Sequence, residues 1–362
     1  MAFDFEKIKS LLKFSLKGDA DSPMVGVDVG ASSIKLVQLH LENDVPTLDT
    51  YGELQLGPYA NLDIGQSVSL KPERLTEAFV DIIRESSITG SNAALSISYA
   101  ASFATTFSVE AIDEEDIAKK VPIEARKYIP VALNEVTLDW FTLRQDEAAG
   151  RTEIFLVAIH NEALGGLQGV FANAGLTMAY TELEPFSAVR SVLSTGNPTA
   201  AVVDLGANAT KLYIVRDGTM QYTHSIARGG VALTESITRA ASLPFADAET
   251  KKRTLGLQTG GSDAIVGQTL RDSLSRTGKE IGKALSDYEK KAGIQLSSVV
   301  LLGGGASMPG ITAYLQDILQ RKVTVAAPFN KVAYPAFLED ALKEAGPSFA
   351  VAVGAALRQF TQ

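Results

Sequence analysis

Asp28 and Asp204 each end an alternating apolar run. Each is followed by a bend of glycine and small residues, Gly30-Ala31-Ser32-Ser33 in one stretch and Gly206-Ala207-Asn208-Ala209-Thr210 in the other. A strand, a small-residue bend and a second strand predict a β-hairpin with a carboxylate near its tip. The chemistry that suits such a tip is phosphate and metal binding. Glycine lets backbone N–H groups approach an anion closely, Ser32, Ser33 and Lys35 add donors, and an aspartate can hold a hydrated Mg²⁺ beside the phosphates. The design repeats at one constant offset, where Asp28, Gly30, Ala31, Lys35 and Leu36 coincide with Asp204, Gly206, Ala207, Lys211 and Leu212. A duplicated domain accounts for the repeat. Two such hairpins can close on one polyphosphate from opposite sides, with the aspartates sharing a metal shell.

Other stretches extend this chemistry. Glu184, just before Pro185 at a helix start, is a candidate for positioning water at a terminal phosphate, although a glutamate there also simply complements the helix dipole. Gly303-Gly304-Gly305-Ala306-Ser307 follows a buried strand over 298–302 and precedes a helix start at Pro309. Such a bend lets a flat ring or a ribose lie against bare backbone near a helix N-terminus. Gly229-Gly230 opens a helical run through Leu233, Ile237 and Ala241, and a helix start over 245–252 carries Glu249 and Lys252. Gly278-Lys279-Glu280 and Gly282-Lys283-Ala284 are not P-loops, because both lack the Ser or Thr required after lysine.

With 362 residues, 46% of them hydrophobic, the chain has room for about two ordinary domains with a core in each. A net charge of −9 gives no overall basic field for nucleic acid. The absence of cysteine excludes disulfides, thiolate metal sites and cysteine nucleophiles. No apolar run reaches the roughly 18 residues of a spanning helix, and Asp4 and Glu6 stand where a signal peptide would be apolar. The expectation is a cytoplasmic protein whose membrane contact is peripheral or made through a partner.

Phe5, Ile8, Leu11 and Leu12 at helical spacing among lysines predict an amphipathic helix, which with its linker occupies residues 1–23. A first lobe is expected over 24–100, an inserted βαββα subdomain over 101–175, and a return to the first lobe with a connecting helix over 176–198. Within the insertion, Pro122 and Pro130 are expected to interrupt or close the first helix. A second lobe is expected over 199–345, and a small-residue helix over 346–362 returns to the first lobe.

These segments, in this order, resemble the actin, heat-shock-chaperone and sugar-kinase ATPase superfamily across nearly the whole chain: first phosphate hairpin, connecting helix, second phosphate hairpin, adenosine loop and second connecting helix. Within it the chain is similar to the PilM family of type IV pilus assembly, with FtsA as the next relative. Ile129-Pro130, the run from Glu135 to Trp140, the Gly229-Gly230 helix start and Pro328-Phe329 match the PilM pattern. The resemblance implies an α/β, actin-like (ribonuclease H-like, duplicated) two-lobed ATPase fold with a small α+β inserted subdomain. It also implies ATP and Mg²⁺ between the lobes, with Asp28 and Asp204 on the metal side and Asp28, Glu184 and Asp204 as the catalytic set. Cofactor contacts are expected at Gly30, Ala31, Ser32, Ser33, Lys35, Gly206, Asn208, Thr210, Gly229, Gly230, Glu249, Lys252, Gly303, Gly304, Gly305 and Ser307.

The implied partner is a PilN-like inner-membrane protein, docked by its N-terminal cytoplasmic peptide between the first lobe and the insertion, with other pilus-platform proteins and a homo-oligomer left open. Ala31 and Ala209 replace hydroxyls common in relatives, which points to slow or absent turnover. The competing readings are an active ATPase or small-molecule kinase of the same fold, or an FtsA-like membrane-associated filament protein. A kinase needs a base aimed at a substrate hydroxyl, and His40, His160 and His224 have no motif around them. The sequence stops at Gln362, just past the second connecting helix, which is the expectation's argument against an FtsA-like C-terminal anchor.

Overall fold

The computed structural model describes residues 22–98, 102–193, 199–216, 219–261 and 263–360. The amphipathic helix expected before residue 18 lies outside the described residues. In chain order the strands are β1 (Met24–Val29), β2 (Ser33–Glu42), β3 (Val45–Gln55), β4 (Asn92–Ile97), β5 (Ser102–Val109), β6 (Val136–Asp146), β7 (Arg151–His160), β8 (Thr177–Leu183), β9 (Thr199–Leu205), β10 (Thr210–Arg216), β11 (Thr219–Ile226), β12 (Ser298–Leu302) and β13 (Lys322–Val325). The helices are α1 (Pro72–Glu85), α2 (Glu114–Ala125), α3 (Asn161–Asn173), α4 (Glu184–Val192), α5 (Gly230–Ala241), α6 (Phe245–Leu255), α7 (Ala264–Ala292), α8 (Ile311–Leu319) and α9 (Glu339–Leu357).

The duplication is visible in the sheets. One has the order β3-β2-β1-β4-β8 and the other β11-β10-β9-β12-β13. In each, the first three strands form an antiparallel meander, and the other two add in parallel beside its first strand. Central strands β1, β4 and β9 are buried on both faces, which explains their nearly continuous apolar sequences.

Helices α1 and α3 cover one face of the first sheet through Phe79, Ile82 and Phe171, while α5, α7 and α8 cover one face of the second through Ile237, Leu270, Leu274 and Leu315. Between the lobes run α4 and α9. Gly26 lies so close to α9 that a Cβ would stand 2.0 Å from the Ala352 carbonyl oxygen, and Gly354 brings α9 equally close to Ser187 of α4. The small residues of α9 are therefore packing surface that lets two helices and a sheet meet backbone to backbone. The crossing is pinned by a buried carboxylate. Arg190 donates to Glu182 Oε1 and Oε2 at 2.5 and 2.8 Å, Arg358 donates to Glu182 Oε2 at 3.2 Å, and Arg190 also reaches the Gly354 carbonyl at 2.8 Å.

The third sheet, β5-β7-β6, is antiparallel and carries α2 on one face through Ile117, Val121 and Ala125. Two expectations about helices need correction. Pro122 does not interrupt α2, which runs to Ala125, since it lies in a helix whose buried Val121 and Ala125 are held by the sheet below. Helix α9 starts at Glu339 rather than in the mid-340s and passes through Pro347, whose carbonyl accepts from the Gly303 N–H at 2.7 Å.

Candidate functional site

Both sequence-predicted hairpins form, with equivalent ladder register and tip hydrogen bonds. Asp28 pairs across the ladder with Lys35, and Asp204 with Lys211. At the first tip the Gly30 N–H donates to the Ser33 carbonyl at 3.0 Å, and at the second the Gly206 N–H donates to the Ala209 carbonyl at 3.1 Å. Closing each tip with a carbonyl this near leaves little room beside either glycine: a Cβ would sit 3.1 Å from the Ser33 oxygen or 3.0 Å from the Ala209 oxygen.

The tips face one another across a cleft. Asp28, Glu184 and Asp204 feel one another's charge there, and Lys211 sits among them. Lys211 Nζ pairs with Glu184 Oε1 and lies 3.4 Å from Asp204 Oδ2. Burial pushes the Asp28 carboxyl up to about 6 against the pull of Lys35. Burial likewise pushes Asp204 up to about 7, with the Glu184 and Asp28 charges adding to the rise and Lys211 opposing it. Burial alone would lower Lys211, but the Glu184 and Asp204 charges outweigh it and hold the ammonium well above the ordinary lysine range.

Lys35 does not mirror Lys211. Its ammonium donates to Ser33 Oγ at 2.7 Å and pairs with Glu53 at 3.2 Å, so two of the residues expected at the phosphates are joined to each other on the first lobe. Burial raises Glu53, yet Lys35, helped by Ser33 and Arg253, more than compensates and holds it below the usual glutamate range. The charge count follows: three carboxylates face one ammonium at the centre, while Lys35 is matched by Glu53. A divalent cation suits that excess.

Among the described residues no group of three or more His, Cys, Asp or Glu is arranged to hold a metal ion by itself. Two carboxylates supplemented by phosphate oxygens and water are nonetheless the usual Mg²⁺ arrangement. Asp28 and Asp204 fit that role.

The triple-glycine turn reaches the same cleft. Gly303 has φ +84°, and a Cβ on it would stand 2.3 Å from Asp204 Oδ1, so only glycine fits beside that carboxylate. Gly305 packs on Leu205, while Gly304 faces open space. A cavity of about 300 Å³ lies between the second tip, this turn, α5 and α7, lined in part by Gly206, Gly229, Gly230, Leu233, Arg239, Gly305 and Met308.

Other predicted residues are committed to protein partners. Gly230 and Val231 donate their N–H groups to the Gly206 and Ala207 carbonyls at 2.9 Å each, so the start of α5 is docked on the second tip. Thr210 donates its hydroxyl to the Arg228 carbonyl at 2.8 Å, and Ser307 Oγ lies 3.4 Å from the Glu344 carbonyl. Glu249 is buried and accepts from Thr234, Lys252 and Arg253, and Lys252 also reaches the Gly230 carbonyl at 3.1 Å. The pair thus braces the start of α5 from below.

Two residues of the site, Lys211 and Ser67, are absent from the set of expected contacts. Lys211 was visible as the repeat partner of Lys35. Ser67 carries no local signal: it lies in the 57–70 connection and accepts from Asn208 Nδ2 at 2.7 Å, while the neighbouring Val68 N–H donates to Ala31 at 2.9 Å. That connection joins the two tips.

Paired ribonuclease H-like sheets, crossed by two helices and closing on a carboxylate-lined cleft, define the actin-like ATPase fold. The model described as type IV pilus assembly protein PilM matches residues 26–360, and the chain belongs to that family.

A chain of a solved PilM-PilN type IV pilus biogenesis complex superimposes with a TM-score of 0.81 at 25% identity, covering 94% of this chain and 99% of that one. MreB5 of Spiroplasma citri, solved bound to AMPPNP, shares the fold at a TM-score of 0.50 and 14% identity over 92% of this chain and 94% of its own. The cell division protein FtsA of Bacillus subtilis (strain 168) is 27% identical over 176 residues, 43% of this chain and 40% of FtsA. The matched stretches span about half the length, or less, of such curated relatives. Among the described residues no helix is long and apolar enough to cross a membrane.

Proposed function

We propose that the chain is a cytoplasmic, nucleotide-gated scaffold of the pilus assembly platform. ATP with Mg²⁺ bridges the two hairpin tips, and the closed form docks the N-terminal cytoplasmic tail of a PilN-like inner-membrane protein. The observation that carries the nucleotide half is the convergence of Asp28, Glu184, Asp204 and Gly303 on one cleft. Backbone N–H groups of the two tips serve the phosphates, Asp28 and Asp204 hold the cation, and Gly303 to Gly305 offer bare backbone to the nucleoside. The bound cation supplies charge neutralisation between the phosphates and the two aspartates. The partner half is supported by the family and by the likeness to a chain solved in a PilM-PilN complex.

Slow or absent turnover is part of the proposal. Hydrolysis needs a carboxylate free to orient the attacking water, and Glu184 is tied to Lys211. The test is a titration of the purified protein with ATP and ADP, with and without a PilN-like N-terminal peptide. Tighter peptide binding in the presence of ATP supports the scaffold. Steady phosphate release that Glu184→Ala abolishes, with peptide affinity indifferent to nucleotide, replaces it with the active-ATPase reading.

A further inference from the structure

The two hairpins are copies, but their lysines behave differently. Lys35 stays within the first lobe, bound to Ser33 and Glu53. Lys211 starts from β10 of the second lobe and reaches Glu184, which begins α4 where the chain leaves β8 of the first sheet, while remaining 3.4 Å from Asp204 of its own lobe. All three side chains are nearly buried, at 14%, 9% and 6% exposure. No local requirement of the hairpin explains this reach, because the same ladder position in the first copy is satisfied without it.

We infer that Lys211 is a built-in cation that joins the two lobes and occupies Glu184, so that the protein retains nucleotide instead of turning it over. The inference rests on the nucleotide reading above and adds a positioning residue to it. The ammonium places a fixed positive charge between Glu184 and Asp204, where a metal ion or a water hydrogen-bonded to Glu184 would otherwise compete. Buried in the cleft and shared by two carboxylates, it does not leave for solvent at low cost. Glu184 Oε1 then accepts from the ammonium and not from water, and the cation-binding capacity left at the centre falls chiefly to Asp28 and Asp204.

The consequence is specific. Removing the charge while keeping the shape, as in Lys211→Met, leaves the Asp28 and Asp204 carboxylates without the neighbouring ammonium and strengthens their hold on a cation. Melting the nucleotide-free full-length protein in EDTA and in excess MgCl₂ reads this directly. The variant gains about 3 °C or more from Mg²⁺ beyond any gain in wild type. Lys211→Arg, which keeps the charge, behaves as wild type. With saturating Mg·ATP, Lys211→Met raises phosphate release by about tenfold or more, because Glu184 Oε1 no longer accepts from the ammonium.

A Mg²⁺ shift in Lys211→Met equal to that of wild type overturns the inference. Should that variant fail to fold, Lys211→Gln, which keeps a donor without the charge, carries the same comparison. Failure of the nucleotide reading is a separate result. If a fluorescent ATP analogue does not bind wild type, that reading falls, while the melting comparison without nucleotide still decides the role of Lys211.

Discussion

Replacing Asp204 by asparagine should make the protein more stable and less able to bind. The residue is 4% exposed, and burial together with the Glu184 and Asp28 charges raises its pKa from 3.8 to about 7. Between those values the folded chain keeps a proton that the unfolded chain has lost, so stability falls as pH rises through the window. Above pH 7 the ionised carboxylate costs up to about 4 kcal/mol, at ~1.4 kcal/mol per pH unit of displacement. Asparagine has the same shape and no charge. Asp204→Asn should therefore gain about 1–4 kcal/mol over wild type at pH 8, with the gain shrinking to near zero by pH 4. Urea denaturation at pH 4, 6 and 8 measures the difference. The same variant should bind Mg·ATP markedly more weakly, because asparagine is a far poorer ligand for the cation than a carboxylate. A variant less stable than wild type at pH 8, or one whose difference is flat with pH, would refute the reasoning about this cluster.

Three further outcomes follow from the packing. Gly354→Ala places a methyl 1.8 Å from the Ser187 carbonyl oxygen, and forcing α4 and α9 apart should cost about 1–3 kcal/mol in urea denaturation. Glu182→Gln leaves Arg190 and Arg358 without their buried counter-charge and should cost about 3–5 kcal/mol at pH 7. Arg190 overcomes the upward push of burial and holds Glu182 below its ordinary 4.5, so its contribution is present above that value and lost as pH falls through the folded one; the variant's deficit should shrink in acid melts. Gly303→Ala, with φ +84° and Asp204 Oδ1 at 2.3 Å from the new Cβ, should weaken ATP binding by at least about tenfold in an equilibrium titration.

What could be read from the chain alone was whatever repeats or is local. The two hairpins and the triple-glycine bend announce themselves through apolar alternation followed by small residues, and each forms where expected. Contacts between elements far apart in sequence leave no such trace. Nothing near Lys211 says that it reaches Glu184, or near Ser67 that it meets Asn208, because those partners are set by how the lobes face each other. Glu182 shows the same limit: its arginines come from α4 and from just beyond α9, and from sequence it reads only as a residue ahead of Glu184. Pro122 marked a helix end by local rule, yet packing carries α2 through it to Ala125.

The central claim is that both acidic hairpins grip one nucleotide. It is tested most directly by an equilibrium titration of Mg·ATP into wild type, Asp28→Asn, Asp204→Asn and the double variant. The account predicts binding to wild type, marked weakening in each single variant, and a loss in the double variant smaller than the two single losses combined, since both groups hold the same ion. Wild-type affinity retained by either single variant, or no binding to folded wild type, would contradict it.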